Sequence, residues 1–396
     1  MVRLEDYQRR EQAYVKHYVL KHYLQRLALK VGRFKPGTTF NYIDGFSGPW
    51  QHATDALRDT SPHVALTELL AARRVLSEQT PPAELHVRGM FVEQNREAFE
   101  RLARLLKETF GTVETEAYHG EFEDHIPQAC RFAARGKHPF AFVFIDPTGW
   151  TGYGLQAITP LLRVRPGEVL INFMTKDISR FVDDEDSSAL QSFVDLFGDA
   201  GYREAWRGLR DLDREDRIVE TYCARVREAG EFAHCAATVI LNPQHDRTHY
   251  HLVFATRSLH GLIAFRETER ESLPEQFEAR AGARQRERVM KKGQLEILEA
   301  PAWETPYMAE LQQRYQRRAR EAVEGELRAG GEVEFDALVA LALQQPMTSL
   351  ADLKAWLGNW RRDEAVEYLG LAQGERVPAV KRGHRLRWRG GLLFGA

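Results

Sequence analysis

Short apolar runs alternate with stretches of helical period along most of the chain. Between Gln8 and Leu29 the residues Tyr14, Tyr18, Leu20, Tyr23, Leu24 and Leu27 recur at helical spacing, with Lys16, His17, Lys21 and His22 between them. This predicts an amphipathic helix over residues 8–29 packed on the domain that follows, whose Lys16 and His17 either face solvent or reach a ligand. Strand-forming residues then run from Phe40 into Asp44. Thr60-Ser61-Pro62 opens a helix to Leu76, with a hydroxyl cap and a proline in the first turn. His86–Glu93 reads as a strand, Asn95–Phe110 as a helix, Thr112–Tyr118 as a strand and Glu121–Gly136 as a helix. Phe140 to Phe144 is an unbroken apolar run extended by Ile145, the pattern of a strand buried on both faces at the centre of a parallel sheet. Leu155–Val164 is the next helix and Glu168–Met174 the next strand.

Five such alternations imply a doubly wound sheet with right-handed crossovers. The alternation breaks at Lys176–Trp206, a long stretch holding the acidic run Asp183–Asp186 and expected to be a solvated loop or helix start. A helix over Leu212–Ala229 and two strands, Phe232–Asn242 and Tyr250–Arg257, follow. Pro243–Thr248 joins those strands and is short enough for a hairpin. Five strands with helices and then a hairpin make the sheet of Rossmann-like methyltransferases. A nicotinamide dehydrogenase more usually ends on a parallel strand, and Gly-x-Gly-x-x-Gly is absent.

Beyond Leu259 the sequence is charged and helical, with Arg280, Arg284, Arg286, Arg288, Lys291 and Lys292 clustered before Gly293. The expected division is a Rossmann-like domain over residues 1–298, a linker over 299–306 and a second domain over 307–396. Helices over Tyr307–Arg328, Phe335–Leu343 and from Leu350, with two short strands around Arg382-Gly383, suggest an α+β winged helix. Lys381, Arg382, Arg385, Arg387 and Arg389 would form its positive wing and grip nucleic-acid phosphates without reading sequence. A docking module is the other reading, because the rest of the domain is balanced in charge.

Composition narrows the class. The 396 residues carry a net charge of −2, so any nucleic-acid binding must come from a local patch. The cysteines Cys130, Cys223 and Cys235 are too few and too scattered for a disulfide framework or a zinc site, which points to thiols in a reducing compartment. No apolar run reaches the length of a membrane span, and Met1–Arg10 lacks the apolar core of a signal peptide. A cytoplasmic protein without a membrane segment is expected.

Candidate chemistry gathers at the strand ends. Asp146 follows the apolar run, Pro147 removes a donor and Gly149 allows a sharp turn before Trp150, so an acid, a rigid turn and an aromatic stand where open α/β sheets bind ligands. Asp44-Gly45-Phe46-Ser47-Gly48 repeats the arrangement at the first strand, its glycines permitting close approach of backbone to a ligand. Glu93 closes the second strand, placed either to accept from ribose hydroxyls or to favour the dipole of the next helix. Glu121 follows the third strand, near an adenine edge or in a first helical turn. His249 and His251 share a strand face without a third metal ligand nearby.

These stretches together resemble the three-Cys-motif partner proteins (TcmP), a bacterial group with a methyltransferase-like fold. The resemblance is carried by Tyr42-Ile-Asp-Gly-Phe-Ser-Gly-Pro49, Ser61-Pro62 with Ala65-Leu66, Phe91-Val-Glu93, Phe142-Val-Phe-Ile-Asp-Pro147 with Gly149, Glu168-Val-Leu-Ile-Asn-Phe-Met174, Arg180-Phe181 and Tyr250-His-Leu-Val-Phe-Ala-Thr256 with Gly261. It runs in collinear order from about Tyr14 to Phe265. Trp50 stands where the family commonly has glycine, and Thr60 where it has the glycine of Gly-Ser-Pro; Trp50 would either close over the cofactor or fill its place. The resemblance implies S-adenosylmethionine as cofactor, its amino-acid portion near Asp44, Gly45, Phe46 and Gly48, its ribose on Glu93 and its adenine near Glu121. It also implies a separate partner bearing the three-cysteine motif and resembling radical S-adenosylmethionine enzymes.

Asp146-Pro147-Thr148-Gly149-Trp150 would then face the methyl group, similar in outline to the Asp-Pro-Pro-Tyr motif of amino methyltransferases. In that motif the acid and a backbone carbonyl hold the amine and the aromatic stacks on the base. Asp146, Pro147 and Trp150 are the catalytic candidates on this reading, with DNA or RNA as the acceptor. The alternative is a catalytically silent subunit that keeps the fold and docks the three-cysteine protein.

Overall fold

The computed structural model describes residues 3–48, 57–182, 187–292 and 306–390. The predicted alternation becomes a seven-stranded sheet. Helix α1 (Glu11–Phe34) leads into β1 (Thr38–Asp44), α2 (Ser61–Ser77), β2 (Leu85–Glu93), α3 (Arg96–Thr109) and β3 (Glu114–His119). Next come α4 (Ile126–Ala133), β4 (Pro139–Ile145), α5 (Leu155–Leu162) and β5 (Gly167–Phe173). After α6 (Thr175–Phe181), α7 (Ser187–Phe197) and α8 (Asp211–Ala229), the strands β6 (His234–Leu241) and β7 (Thr248–Thr256) complete the sheet, and α9 (Leu259–Lys292) follows.

The strand order is β3-β2-β1-β4-β5-β7-β6. The pairings among β1 to β5 are parallel, while β7 runs antiparallel to both β5 and β6. The order reverses between β1 and β4, so the carboxyl ends of those two neighbours flank a switch point. The chain is an α/β protein with a mostly parallel mixed sheet of Rossmann-like type.

The two-residue period of the strands divides the core between the faces of the sheet. Ile43, Val143, Ile171 and Val253 join α4, α5 and α8 through Phe132, Ile158, Tyr222 and Val226 in one buried cluster. On the other face the Tyr23 ring of α1 meets Phe142 and Phe254, with centroids 5.9 Å and 4.8 Å apart. The Tyr23 hydroxyl donates to buried Glu168 at 2.6 Å, and Thr256 Oγ1 donates to the same carboxyl at 2.7 Å. Burial pushes the Glu168 carboxyl upward. At the same end of these strands the Arg257 guanidinium donates to the carbonyls of Leu162, Val164, Gly167 and Gly230. It ties the ends of α5 and α8 to the start of β5.

Two expected elements differ. Lys176–Trp206 is not a loop: α6, α7 and a 3₁₀ segment at Ala200–Trp206 fill it, because Phe193, Leu196, Phe197, Tyr202 and Trp206 pack into the core. The acidic run 183–186 lies outside the described residues. The helix expected from Glu121 begins as a 3₁₀ turn at Glu123–His125, with the α-helix starting at Ile126 where Pro127 suits the first turn.

The chain separates into two compact units, Met1–Arg257 with Ser272–Pro301, and Ser258–Glu271 with Ala302–Ala396. The second takes the beginning of α9 because Arg266 and Glu269 are buried there as an ion pair at 2.7 Å. Arg266 also donates to the carbonyls of Leu343 and Gln344, and Glu269 accepts from the Met347 amide. The rest of this unit is α10 (Pro306–Arg328), β8 (Glu332–Glu334), α11 (Phe335–Ala342), α12 (Leu350–Arg362), β9 (Val366–Leu369) and β10 (Arg385–Trp388). Its strands form an antiparallel sheet in the order β8-β10-β9. The expected pair of strands around Arg382-Gly383 is thus corrected: β10 follows that turn, but its partners are β9 and β8, since the chain before the turn is irregular. Residues 299–305 of the expected linker lie outside the described residues.

Truncating Arg257 leaves several part-buried carbonyls without their donor. Arg257→Ala is expected to lower the unfolding free energy of the first unit by about 3 kcal/mol, read as a drop in the urea midpoint. A loss below about 1 kcal/mol would mean that water replaces the guanidinium.

Candidate functional site at the switch point

The carboxyl ends of β1, β2, β4 and β5 bring Asp44, Glu93, Asp146 and Asn172 to one edge of the sheet. Asp44 ends β1 with no exposed surface. It accepts hydrogen bonds from the Ser61 hydroxyl at 2.7 Å, the Phe46 amide at 3.1 Å and the Tyr42 hydroxyl at 3.2 Å. Burial nevertheless raises its carboxyl to about 7, because three neutral donors offset only part of the lost hydration and Asp146 adds a like charge nearby. Thr60 is the cap of α2, which leaves the neighbouring Ser61 hydroxyl for Asp44.

Gly45 needs to be glycine here: a Cβ would stand 2.8 Å from the Phe122 ring. Phe46 lies beside the same ring, centroids 5.6 Å apart, and edge-on to Tyr153. Gly48 is half-buried and is the last residue described before the gap at 49–56, so Trp50 lies outside the described residues. Glu93 is buried at the end of β2 and accepts from the Asn95 amide at 2.6 Å; burial moves its carboxyl upward. The Glu121 side chain is exposed. Its neighbour Glu123 instead accepts from the Gly154 amide at 2.5 Å and anchors the loop between β4 and α5.

Asp146 has both carboxylate oxygens engaged. Asn172 Nδ2 donates to Oδ1 at 2.7 Å, and Lys16 Nζ donates to Oδ2 at 2.5 Å. The Lys16 and Asp146 side chains are each 12% exposed, so this ion pair is largely withdrawn from water. Lys16 Nζ also lies 5.8 Å from the centroid of the Tyr250 ring. The Tyr250 hydroxyl donates to the Gln12 carbonyl at 2.6 Å, which fixes that ring against α1 one helical turn before Lys16. The Asn172 side chain carries a buried Oδ1 with no hydrogen-bond donor among the described residues. What converges beside the Lys16 amine is therefore a carboxylate, held from its other oxygen by Asn172, and an aromatic face.

Pro147 is buried in the turn. Trp150 turns toward α7: its indole N–H donates to Ser192 Oγ at 2.9 Å, and its ring stacks on Phe193 and lies against Phe181. Of the expected catalytic trio, Asp146 meets the polar groups and Trp150 packs in an aromatic cluster.

His17 is buried on the Tyr7 hydroxyl at 2.8 Å rather than solvated. His251 Nδ1 pairs with Thr175 Oγ1 at 2.7 Å, and burial pulls its imidazole down to about 3. His249 is pulled to about 4 by burial and by the Lys176 charge. Among the described residues no group of three His, Cys, Asp or Glu side chains is arranged to hold a metal, and no helix is long and apolar enough to cross a membrane. In the second unit Arg385 and Arg387 share one exposed face of β10, and Arg389 is exposed just after it. They pair there with Glu332 and Glu367 of the flanking strands, while Lys381 and Arg382 sit exposed in the preceding turn.

Ser61, Asn172 and Tyr250 are the partners that sequence reasoning missed as site residues, whereas Lys16 was read as either solvated or able to reach a ligand. Only Ser61 carried a local signal, as the second hydroxyl beside a cap that uses one.

No family model matches the chain, and no curated protein matches it. Among solved structures it is similar to protein LPL1258 from Legionella pneumophila str. Philadelphia 1, of family model DUF519, at 10% identity and a TM-score of 0.33. That match covers 61% of this chain and 85% of the other. A likeness at this level assigns no activity.

Asp44 makes stability depend on pH. Its folded-state value, about 7, lies above the unfolded 3.8, so its stabilising contribution is complete below 3.8 and is lost as pH rises through 7. Glu215, also pushed up by burial to about 7, acts in the same direction. The melting temperature is expected to fall between about pH 4 and pH 7, and Asp44→Asn to flatten that fall by the share due to Asp44. Equal slopes in the two proteins would show that Asp44 is ionised throughout.

Proposed function

We propose that the first unit binds S-adenosylmethionine over the carboxyl ends of β1 and β2 and transfers its methyl group to an amine held at Asp146. A sheet whose parallel strands reverse between β1 and β4 and end in an antiparallel hairpin supports this, being that of Rossmann-like methyltransferases. The observation that carries the proposal is the cluster beside Asp146. Its carboxylate, oriented by the Asn172 carboxamide, is an acceptor matched to the N–H groups of an amine whose lone pair would point at the methyl donor. Little acid–base chemistry is needed, because holding donor and acceptor in line supplies most of the rate.

The cofactor's amino-acid portion would lie along Asp44, Gly45, Phe46 and Gly48, its ribose at Glu93 and its adenine toward the turn at Glu121. The motifs that resemble the three-Cys-motif partner family extend the proposal to a separate three-cysteine protein of radical S-adenosylmethionine type. In the second unit the succession of α10, β8, α11, α12, β9 and β10 has the order of a winged helix. Its exposed Lys381, Arg382, Arg385, Arg387 and Arg389 would meet the phosphates of DNA or RNA, exchanging surface ion pairs that individually contribute little.

A second reading, a binding subunit without turnover, is favoured by two contacts: Lys16 already fills the amine position on Asp146, and Phe122 lies against Gly45.

Calorimetric titration separates the readings. Methyltransferase function predicts binding of S-adenosylmethionine with a Kd of about 1–100 μM, weakened about tenfold or more in Glu93→Ala and changed less than about threefold in Asp146→Asn. No heat at about 1 mM ligand with folded protein would remove the proposal.

A further inference from the structure

We propose that Lys16 is itself a methyl acceptor, so that the protein with S-adenosylmethionine bound methylates its own Nζ. The inference rests on the cofactor reading above and adds a modification site to it. Lys16 Nζ is the amine that Asp146 holds, at 2.5 Å. Charge balance for Asp146 would be met by that contact alone. One further feature suits an N-methylated ammonium rather than a bare counter-ion. The Tyr250 ring faces the nitrogen at 5.8 Å, and aromatic faces attract methylated ammonium groups. Methylation keeps the positive charge, so the product retains its ion pair with Asp146.

In the transfer, the Lys16 ammonium first gives a proton to solvent by way of the Asp146 carboxylate. The freed lone pair attacks the sulfonium methyl carbon and forms the new N–C bond. The S–CH₃ bond breaks with its electron pair staying on sulfur, and S-adenosylhomocysteine leaves. No further reactant is required.

The test uses the full chain incubated with S-adenosylmethionine alone, read by intact mass and peptide mapping, with cofactor binding measured separately by calorimetry. The expected result is a gain of about 14 Da, or multiples of it, on the peptide carrying Lys16. The gain should vanish in Lys16→Arg and slow at least about tenfold in Asp146→Asn. It should persist in Lys21→Arg, whose lysine on the same helix pairs with Glu68 instead. Cofactor binding without a mass gain, or a gain on another lysine, overturns the inference and leaves the cofactor reading standing. Absence of cofactor binding overturns both.

Discussion

Two carboxylates, Asp44 and Asp146, terminate neighbouring strands at the point where the sheet order reverses, and each is nearly or fully removed from water. Burying like charges side by side is among the costliest arrangements a fold can adopt unless each is neutralised or hydrogen-bonded. The chain meets this in two ways. Asp44 receives three neutral donors, which leaves a carboxyl that holds its proton up to about pH 7. Asp146 receives a cation and a carboxamide. The surrounding structure supplies those partners from five segments: α1, β1 itself, the loop after β1, the start of α2 and β5.

The position of α1 follows from that requirement. Lys16 must arrive at Asp146, and the helix carrying it is fixed on both sides of that residue. Before it, Glu11 pairs with Arg286 and the Tyr14 hydroxyl bonds to Glu275, both from the later part of α9. After it, Tyr23 reaches Glu168 between β4 and β7. A helix that looks like an N-terminal accessory is thus tied at three places to elements far along the chain. Its Lys16 points inward at the site, against the usual expectation for lysine.

What the sequence disclosed follows the same physics. The central strands were legible because strands covered on both faces must be apolar throughout, and Asp44, Glu93 and Asp146 were legible because a charged residue ending such a run is conspicuous. Asn172 was not, and Lys16 was legible only as one of two readings, since their significance lies in contacts with a residue distant in the chain and their local surroundings are those of an ordinary strand and helix. The helices between Thr175 and Trp206 were obscured by the acidic run that interrupts their aromatic period. The beginning of α9 was legible only as charged and helical, although Arg266 and Glu269 are each buried by the other and by backbone groups of the second unit. Pairing turns a surface pattern into a core one, and pairing is what a linear reading lacks.

The most direct test of the switch-point account is a crystal structure with S-adenosylhomocysteine bound. The account predicts the ligand across the ends of β1 and β2, with its amino-acid portion beside Asp44 and Gly45, its ribose hydroxyls on Glu93 and its sulfur directed toward Asp146 and Lys16. Ligand bound elsewhere, with Asp44 and Asp146 keeping their present partners, would contradict it.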